Sequence, residues 1–324
     1  MKILITGGAG FIGSAFLRRM TARWPDSQFV NFDLMTYAAS PEAVADLQNC
    51  PNYAFQKGDI AEREAVFSLF GREHFDIVVN FAAESHVDRS IRDPAVFLRT
   101  NLLGTQVLLD AAVEYGVSRF HQVSTDEVYG DLPLHDSEKS FTEDSPLHPS
   151  SPYSASKAGA DLLALSYGRT YGLPVTVSRC TNNFGPYQHP EKLIPLAVRC
   201  ALDGVPVPVY GSGKNVRDWI FVEDHCAAVE AILEKGIPGE TYLVSAEEPW
   251  ENLTLVREIL RLLGRPETLL TFVPDRPGHD RRYALSAEKI QKSLGWKPMC
   301  SFQESLRETV LWYAAHPEWL HREG

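Results

Sequence analysis

Tyr153 and Lys157 stand four residues apart in Tyr-Ser-Ala-Ser-Lys, and the Pro149-Ser150-Ser151-Pro152 run before them is a helix start. Residues at that spacing share one helix face, so phenol and ammonium converge on one point. The chemistry open to such a pair is removal of a proton from an alcohol. A second constellation is Thr125-Asp126-Glu127, which follows the apolar run Phe120 to Ser124. Two carboxyl groups at a strand end occupy the usual place for active groups in an open α/β sheet. Alone, each motif also has a plain alternative: a surface helix pair for the first, a solvated acidic loop for the second.

A third motif gives both a context. Gly7-Gly8-Ala9-Gly10-Phe11-Ile12-Gly13 follows a short apolar strand and opens a helical pattern, satisfying GxGxxG through Gly8, Gly10 and Gly13. Glycines there allow a tight turn, close approach of a pyrophosphate to backbone, and close helix packing. The helix start then offers free N–H groups to phosphate. Asp33 ends the next apolar run twenty residues after Gly13. A carboxylate at that point accepts ribose hydroxyls and repels a 2′-phosphate, so the expected cofactor is NAD and not NADP. A phenol at its ordinary pKa of about 10 is a poor base at neutral pH, and lowering it by about 3 units takes roughly 4 kcal/mol. The Lys157 ammonium and a cationic nicotinamide ring are the expected sources.

The elements that position these residues follow from hydrophobic periodicity. Ile3 to Thr6, Phe29 to Asp33, Phe75 to Ala82, Phe120 to Ser124 and Val175 to Arg179 read as strands, with helical stretches between them, as where Ile12, Phe16 and Met20 recur at spacing four. This alternation predicts a Rossmann-type, doubly wound parallel sheet with helices on both faces. Past Cys180, Pro and Gly signals become denser. The expected division is 1–180 for the dinucleotide and 181–324 for a smaller α/β substrate domain, with 239–246 able to return to the main sheet.

Composition narrows the function classes. A formal net charge of −11 disfavours nucleic acid or an anionic membrane as partner. The five cysteines include no CxxC pair, which points to a reducing cytosol, and no metal site is expected. The opening Met-Lys-Ile-Leu-Ile-Thr reads as a strand and not a signal peptide, and no apolar run approaches the roughly 20 residues of a membrane span.

Taken together these motifs resemble the extended short-chain dehydrogenases/reductases, and more narrowly the dTDP-glucose 4,6-dehydratases. Eight stations carry the resemblance in order: Gly7 to Gly13, Asp33 to Tyr37, Ala82 to Ser90, Ser124 to Gly130, Tyr153 to Lys157, Glu191 to Pro195, Arg217 to Trp219, and Asp275 to Tyr283. The acid pair sets the narrower likeness, because related sugar epimerases usually carry small residues there. The resemblance implies that Tyr153, with Lys157, takes the proton of the sugar 4-hydroxyl while NAD is reduced. Glu127 then takes the proton at carbon 5, and protonated Asp126 assists departure of the 6-hydroxyl. Thr125 hydrogen-bonds the 4-hydroxyl, and reduction at carbon 6 restores NAD.

For the cofactor the resemblance implies Gly7, Gly10, Phe11, Ile12, Gly13, Asp33 and Thr36, then Asp59, Ile60, Ala83, Ser85 and Thr100, with Tyr153 and Lys157 at the reactive end. For the nucleotide sugar it implies Glu84 and Ser85, Asn183, Lys192 and Leu193, and further along Arg217, Asn252, Arg276, His279 and Tyr283. It also implies a homodimer in which the helices after Asp93 and after Tyr153 form a four-helix bundle. Two stretches depart from the family pattern: Tyr242 to Glu248, where a YNIGG-N-E run is common, and Ala38 to Pro41. The first leaves UDP- or CDP-sugars open as substrates beside dTDP-glucose. A 4-epimerase is the alternative from the same superfamily.

Overall fold

The computed structural model describes residues 1–136, 138–275 and 278–321. Its centre is a seven-stranded parallel sheet. The strands are β1 (Lys2–Thr6), β2 (Gln28–Asp33), β3 (Tyr53–Lys57), β4 (Ile77–Asn80), β5 (Arg119–Thr125), β6 (Val175–Cys180) and, after three outside the sheet, β10 (Thr241–Val244). Their order is β10-β6-β5-β4-β1-β2-β3. The sheet carries the helices Arg63–Glu73, Thr105–Glu114 and Pro152–Tyr171 on one face, where Phe70, Leu108, Phe120 and Val175 are buried together. Helices Phe11–Arg23 and Val222–Lys235 cover the other face over Phe16, Leu17, Val222 and Val229. This is the Rossmann-type fold the alternation predicts.

The strand β3 was not among the expected elements. It is an edge strand whose residues are mostly exposed, Phe55 among them. With one side of the strand unpaired and little of it buried, it lacks the apolar run that marks the interior strands.

Strand order reverses between β1 and β4, because the chain runs outward through β2 and β3 before returning. Ligand crevices in such sheets open at that switch point, beyond the carboxyl ends of the strands. A chain of buried polar side chains fixes it: Thr6 Oγ1 donates to Asn80 Oδ1 at 2.6 Å, and Asn80 Nδ2 donates to Gln122 Oε1 at 2.8 Å. Three adjacent strands are thereby tied beneath the crevice.

The remaining strands lie outside the main sheet. They are β7 (Asn182–Phe184), β8 (Val207–Tyr210), β9 (Val216–Phe221), β11 (Pro249–Glu251) and β12 (Leu270–Val273), forming one sheet of order β11-β9-β7 and a β12-β8 pair. Helices Leu193–Asp203, Asn252–Leu262 and Phe302–Ala315 enclose a separate apolar core containing Phe184, Ile194, Trp219, Ile259 and Tyr313.

Candidate active site

The glycine-rich turn lies at the switch point. Gly7 has φ +68°, and a Cβ on it would stand 2.6 Å from the backbone nitrogen of Ala82, in the segment after β4. Only glycine lets these two backbones pass so closely. Gly10 N–H donates to the Gly7 carbonyl at 3.1 Å, and Gly10 caps helix Phe11–Arg23 without a side chain. A half-buried helix start with no side-chain cap is a fitting cradle for a pyrophosphate.

Asp33 is almost wholly buried at the end of β2. Its Oδ2 accepts from the N–H of Ala9 at 2.9 Å and its Oδ1 from that of Met35 at 2.7 Å. Burial pushes its pKa up, and the two N–H donors pull it back. The carboxylate thus braces the glycine turn and the Met35 segment. The cleft at this end, about 110 Å³, is lined by Gly7, Gly10, Asp33, Thr36, Asp59, Ile60, Ala83, Glu84 and Thr100.

It continues into a larger cavity of about 270 Å³ that brings Phe11, Ile12, Gly13, Ser85, Thr125, Asp126, Glu127, Tyr153, Lys157, Asn183 and Lys192 to one space. The reactive helix Pro152–Tyr171 begins with a reciprocal cap between Ser151 and Ser154, which fixes where its first turn starts and so where Tyr153 points. Lys157 is buried and donates from Nζ to the Val123 carbonyl at 2.6 Å. Burial pushes the Tyr153 phenol well above its ordinary value, Glu127 adds to this, and Thr125 opposes it.

Asp126 is 2 % exposed. Thr125 Oγ1 donates to its Oδ1 at 3.2 Å, while Oδ2 is enclosed with no hydrogen-bond partner. Burial, and then the neighbouring Glu127, hold the carboxyl well above the usual carboxylate range, with Arg217 acting against them. A carboxylic acid kept neutral in a cleft is a proton donor. Glu127, half-buried on the turn Asp126–Tyr129, shares the cavity with it.

The expected substrate residues divide. Asn183 lines the cavity with every polar atom already engaged. Its Nδ2 donates to the Thr181 carbonyl at 3.0 Å and to Cys180 Sγ at 3.2 Å, and its Oδ1 accepts from His225 Nδ1 at 2.8 Å. Leu193, Arg217, Asn252, His279 and Tyr283 lie outside the cavity lining. Leu193 opens its helix against the apolar core. Asn252 opens another, its Oδ1 buried and unpartnered. His279 Nδ1 meets Asp275 Oδ1 at 2.6 Å. Arg217 is buried, donates to the carbonyls of Val216 and Asp280 at 2.8 Å each, and stacks 4.3 Å over the Tyr283 ring. Its charge reaches both Asp126 and Tyr283. Arg276 lies outside the described residues.

Several lining residues were not expected from the sequence: Cys180, Thr181, Asn182, Gln188, His189 and Glu191. They run from Cys180 at the end of β6 to the start of helix Leu193–Asp203, where the local signals were Gly185-Pro186 and the Glu191 to Pro195 station. Gln188 is held from behind, its carbonyl accepting from Tyr313 Oη at 3.0 Å and Trp319 Nε1 at 3.1 Å, contacts made by side chains over a hundred residues away. Among the described residues no group of His, Cys, Asp and Glu is arranged to hold a metal, and no helix is long and apolar enough to cross a membrane.

Comparison with known proteins agrees with this geometry. Residues 4–309 match the family model described as GDP-mannose 4,6 dehydratase. A dTDP-glucose 4,6-dehydratase of Escherichia coli is 48% identical over 342 residues, covering 99% of this chain and 94% of its own. A dTDP-glucose 4,6-dehydratase of Streptomyces venezuelae, solved with NAD and dTDP bound, superposes with a TM-score of 0.94 at 46% identity, covering 99% of both chains. A UDP-glucose 4-epimerase of Thermotoga maritima, solved with UDP-glucose, superposes with a TM-score of 0.90 at 29% identity, covering 98% of this chain and 100% of its own.

Proposed function

The chain belongs to the GDP-mannose 4,6-dehydratase family of extended short-chain dehydrogenases/reductases, and from that premise we propose that it dehydrates dTDP-glucose to dTDP-4-keto-6-deoxyglucose with NAD held in its cleft. It is a hydro-lyase acting on a nucleotide sugar. The observation that carries this reading is the enclosed Asp126, its pKa pushed up by burial, beside Glu127 in one cavity with Tyr153 and Lys157. The fold itself is shared with a 4-epimerase at nearly the same TM-score, so the acid pair and the level of identity favour dehydration.

The residues take the following parts. Gly7, Gly10 and the start of helix Phe11–Arg23 hold the dinucleotide phosphates, and Asp33 takes the adenosine ribose. NAD supplies the oxidant for carbon 4 of the sugar and the reductant for carbon 6. Tyr153, beside Lys157, takes the proton of the 4-hydroxyl, and Thr125 orients that hydroxyl. The ketone acidifies carbon 5, where Glu127 takes the proton and returns it when carbon 6 is reduced. Asp126 gives its proton to the departing 6-hydroxyl. A positioned acid or base of this kind contributes about 10²- to 10⁴-fold.

The division of labour follows: residues 1–180, with 239–246, bind NAD, and 181–324 bind the nucleotide sugar. Arg217 serves that side from behind, and Arg276 completes it. The five unpaired cysteines fit a reducing cytosol. The assembly is a homodimer. Val96, Leu98 and Leu103 are 43%, 49% and 47% exposed, and Leu162 on helix Pro152–Tyr171 is 59% exposed. A row of large aliphatic side chains left in water on two packed helical segments is what a second copy would cover.

The test is incubation with dTDP-, UDP- and CDP-glucose and NMR identification of the product. A 4-keto-6-deoxy sugar formed fastest from dTDP-glucose is expected; the carbon 4 epimer as sole product would overturn the reading.

A further inference from the structure

Asp161 lies one helical turn beyond Lys157 on helix Pro152–Tyr171, and side chains at that spacing stand one above the other. Both are closed off from solvent, Asp161 at 0% and Lys157 at 4% exposure. From β6, Arg179, also buried, donates Nε to Asp161 Oδ2 at 2.9 Å and Nη1 to the Tyr129 hydroxyl at 2.6 Å. The other oxygen, Oδ1, is buried without a well-formed hydrogen bond, as is the hydroxyl of Ser124 beside it.

Stability alone does not account for this arrangement. A buried ion pair often does no better than apolar groups of equal volume. What Asp161 supplies is negative charge at the one place where a second buried cation needs it. The Lys157 ammonium has the Val123 carbonyl on one side, a dipole and not a charge.

We propose that Asp161 is a positioning residue that keeps Lys157 protonated at the dry floor of the active site, with Arg179 and Tyr129 holding Asp161 in place. The inference rests on the reading of Lys157 as the partner of Tyr153. Burial disfavours the ammonium; Asp161 is foremost among the groups opposing this, followed by Cys180 on β6. On the side of Tyr153 the titratable groups are Glu127, Cys180 and Asp126. Lys157, Asp161 and Arg179 together make two cations to one anion, so a positive charge remains behind the phenol. Without Asp161 the lysine loses its proton at a lower pH, and with it the field that favours phenolate.

The test is the pH profile of NADH formation in a single turnover of the NAD-loaded enzyme mixed with dTDP-glucose. Asp161→Asn should lose at least about tenfold in rate near pH 9 and less than about threefold near pH 6.5, because a shift of one pKa unit is tenfold on the deprotonated side. Asp161→Glu should restore the alkaline limb. A loss equal at all pH values, or none, would overturn the proposal. If Asp161→Asn does not fold, the paired variant Asp161→Leu/Arg179→Met removes the ion pair without leaving Arg179 unpaired, and a smaller shift in the same direction is expected. The second readout needs no substrate: the Nζ resonance of isotope-labelled Lys157 should titrate at lower pH in either variant. Absence of NADH with wild-type enzyme would count against the dehydratase reading, whereas an unmoved Lys157 titration counts against this inference alone.

Discussion

The hydroxyl of Thr125 donates to one oxygen of Asp126 while the other oxygen of the same carboxyl is sealed in the protein without a partner. Burial and the neighbouring Glu127 push this carboxyl well above the usual carboxylate range, which favours its protonated form at the end of β5. A buried carboxyl whose folded pKa is raised favours folding while it is protonated, and that advantage is lost as pH rises from the unfolded value of about 3.9 through the folded one. Asp126→Asn should therefore melt higher than wild type at pH 7, with the gap closing toward pH 4. It should also slow product formation by about 10²-fold or more while leaving NADH formation on mixing intact. Calorimetry and rapid-mixing absorbance check the two halves.

Glu127 and Tyr153 are separable by the order of the steps. Glu127→Gln should still oxidise carbon 4 and then stall with bound 4-keto-glucose, whereas Tyr153→Phe should slow NADH formation itself by about 10²-fold or more. Wild-type turnover by Glu127→Gln would reduce the acid pair to an ordinary loop. Because members of one catalytic unit are not additive, Asp126→Asn/Glu127→Gln should be little worse than either single variant.

Asp33 has two tasks. Asp33→Ala removes the charge that repels a 2′-phosphate, so discrimination against NADP should fall. It also deletes the acceptor of the Ala9 and Met35 N–H groups. Hydrogen bonds to a charged group are worth about 1.5–3 kcal/mol each, so NAD affinity should drop at least about tenfold in the same variant. Calorimetric titration with both dinucleotides measures both effects.

Two histidines are buried in the neutral form. Burial lowers His121 to about 3 and His225 to about 4. His121 lies between the hydroxyls of Thr176 and Ser178, and His225 holds Asn183. With folded values below the unfolded value of about 6.5, the unfolded chain binds more protons, so stability is lost as pH falls from about 6.5 toward 4. Urea unfolding at pH 7.5 and pH 5 should show this loss. His121→Gln, which can still bond a neighbouring hydroxyl, should reduce it.

Leu162 tests the assembly. Leu162→Glu puts a charge in the proposed interface and leaves the buried face of its helix untouched. Light scattering should show a dimer for wild type and a monomer for the variant at micromolar concentration. A wild-type monomer would contradict the assembly.

Sequence alone determined the chemistry-bearing motifs and the order of the main elements. Glycines at a strand–helix turn, an acid at the next strand end, and a tyrosine and lysine one turn apart are local patterns. Backbone sterics and helical periodicity act over a few residues, so each can be read where it stands. The edge strand β3 escaped because it buries too little to show a periodicity. Tertiary structure decided what depends on distant neighbours. The Asp126 carboxyl is pushed up in pKa because the walls that exclude water come from elsewhere in the fold. Arg217 is turned to backbone carbonyls by a segment more than sixty residues away. Gln188 reaches the cleft because Tyr313 and Trp319 hold its backbone from the far end of the chain. Burial and long-range hydrogen bonding belong to the packed molecule, and no spacing of residues along the chain encodes them directly.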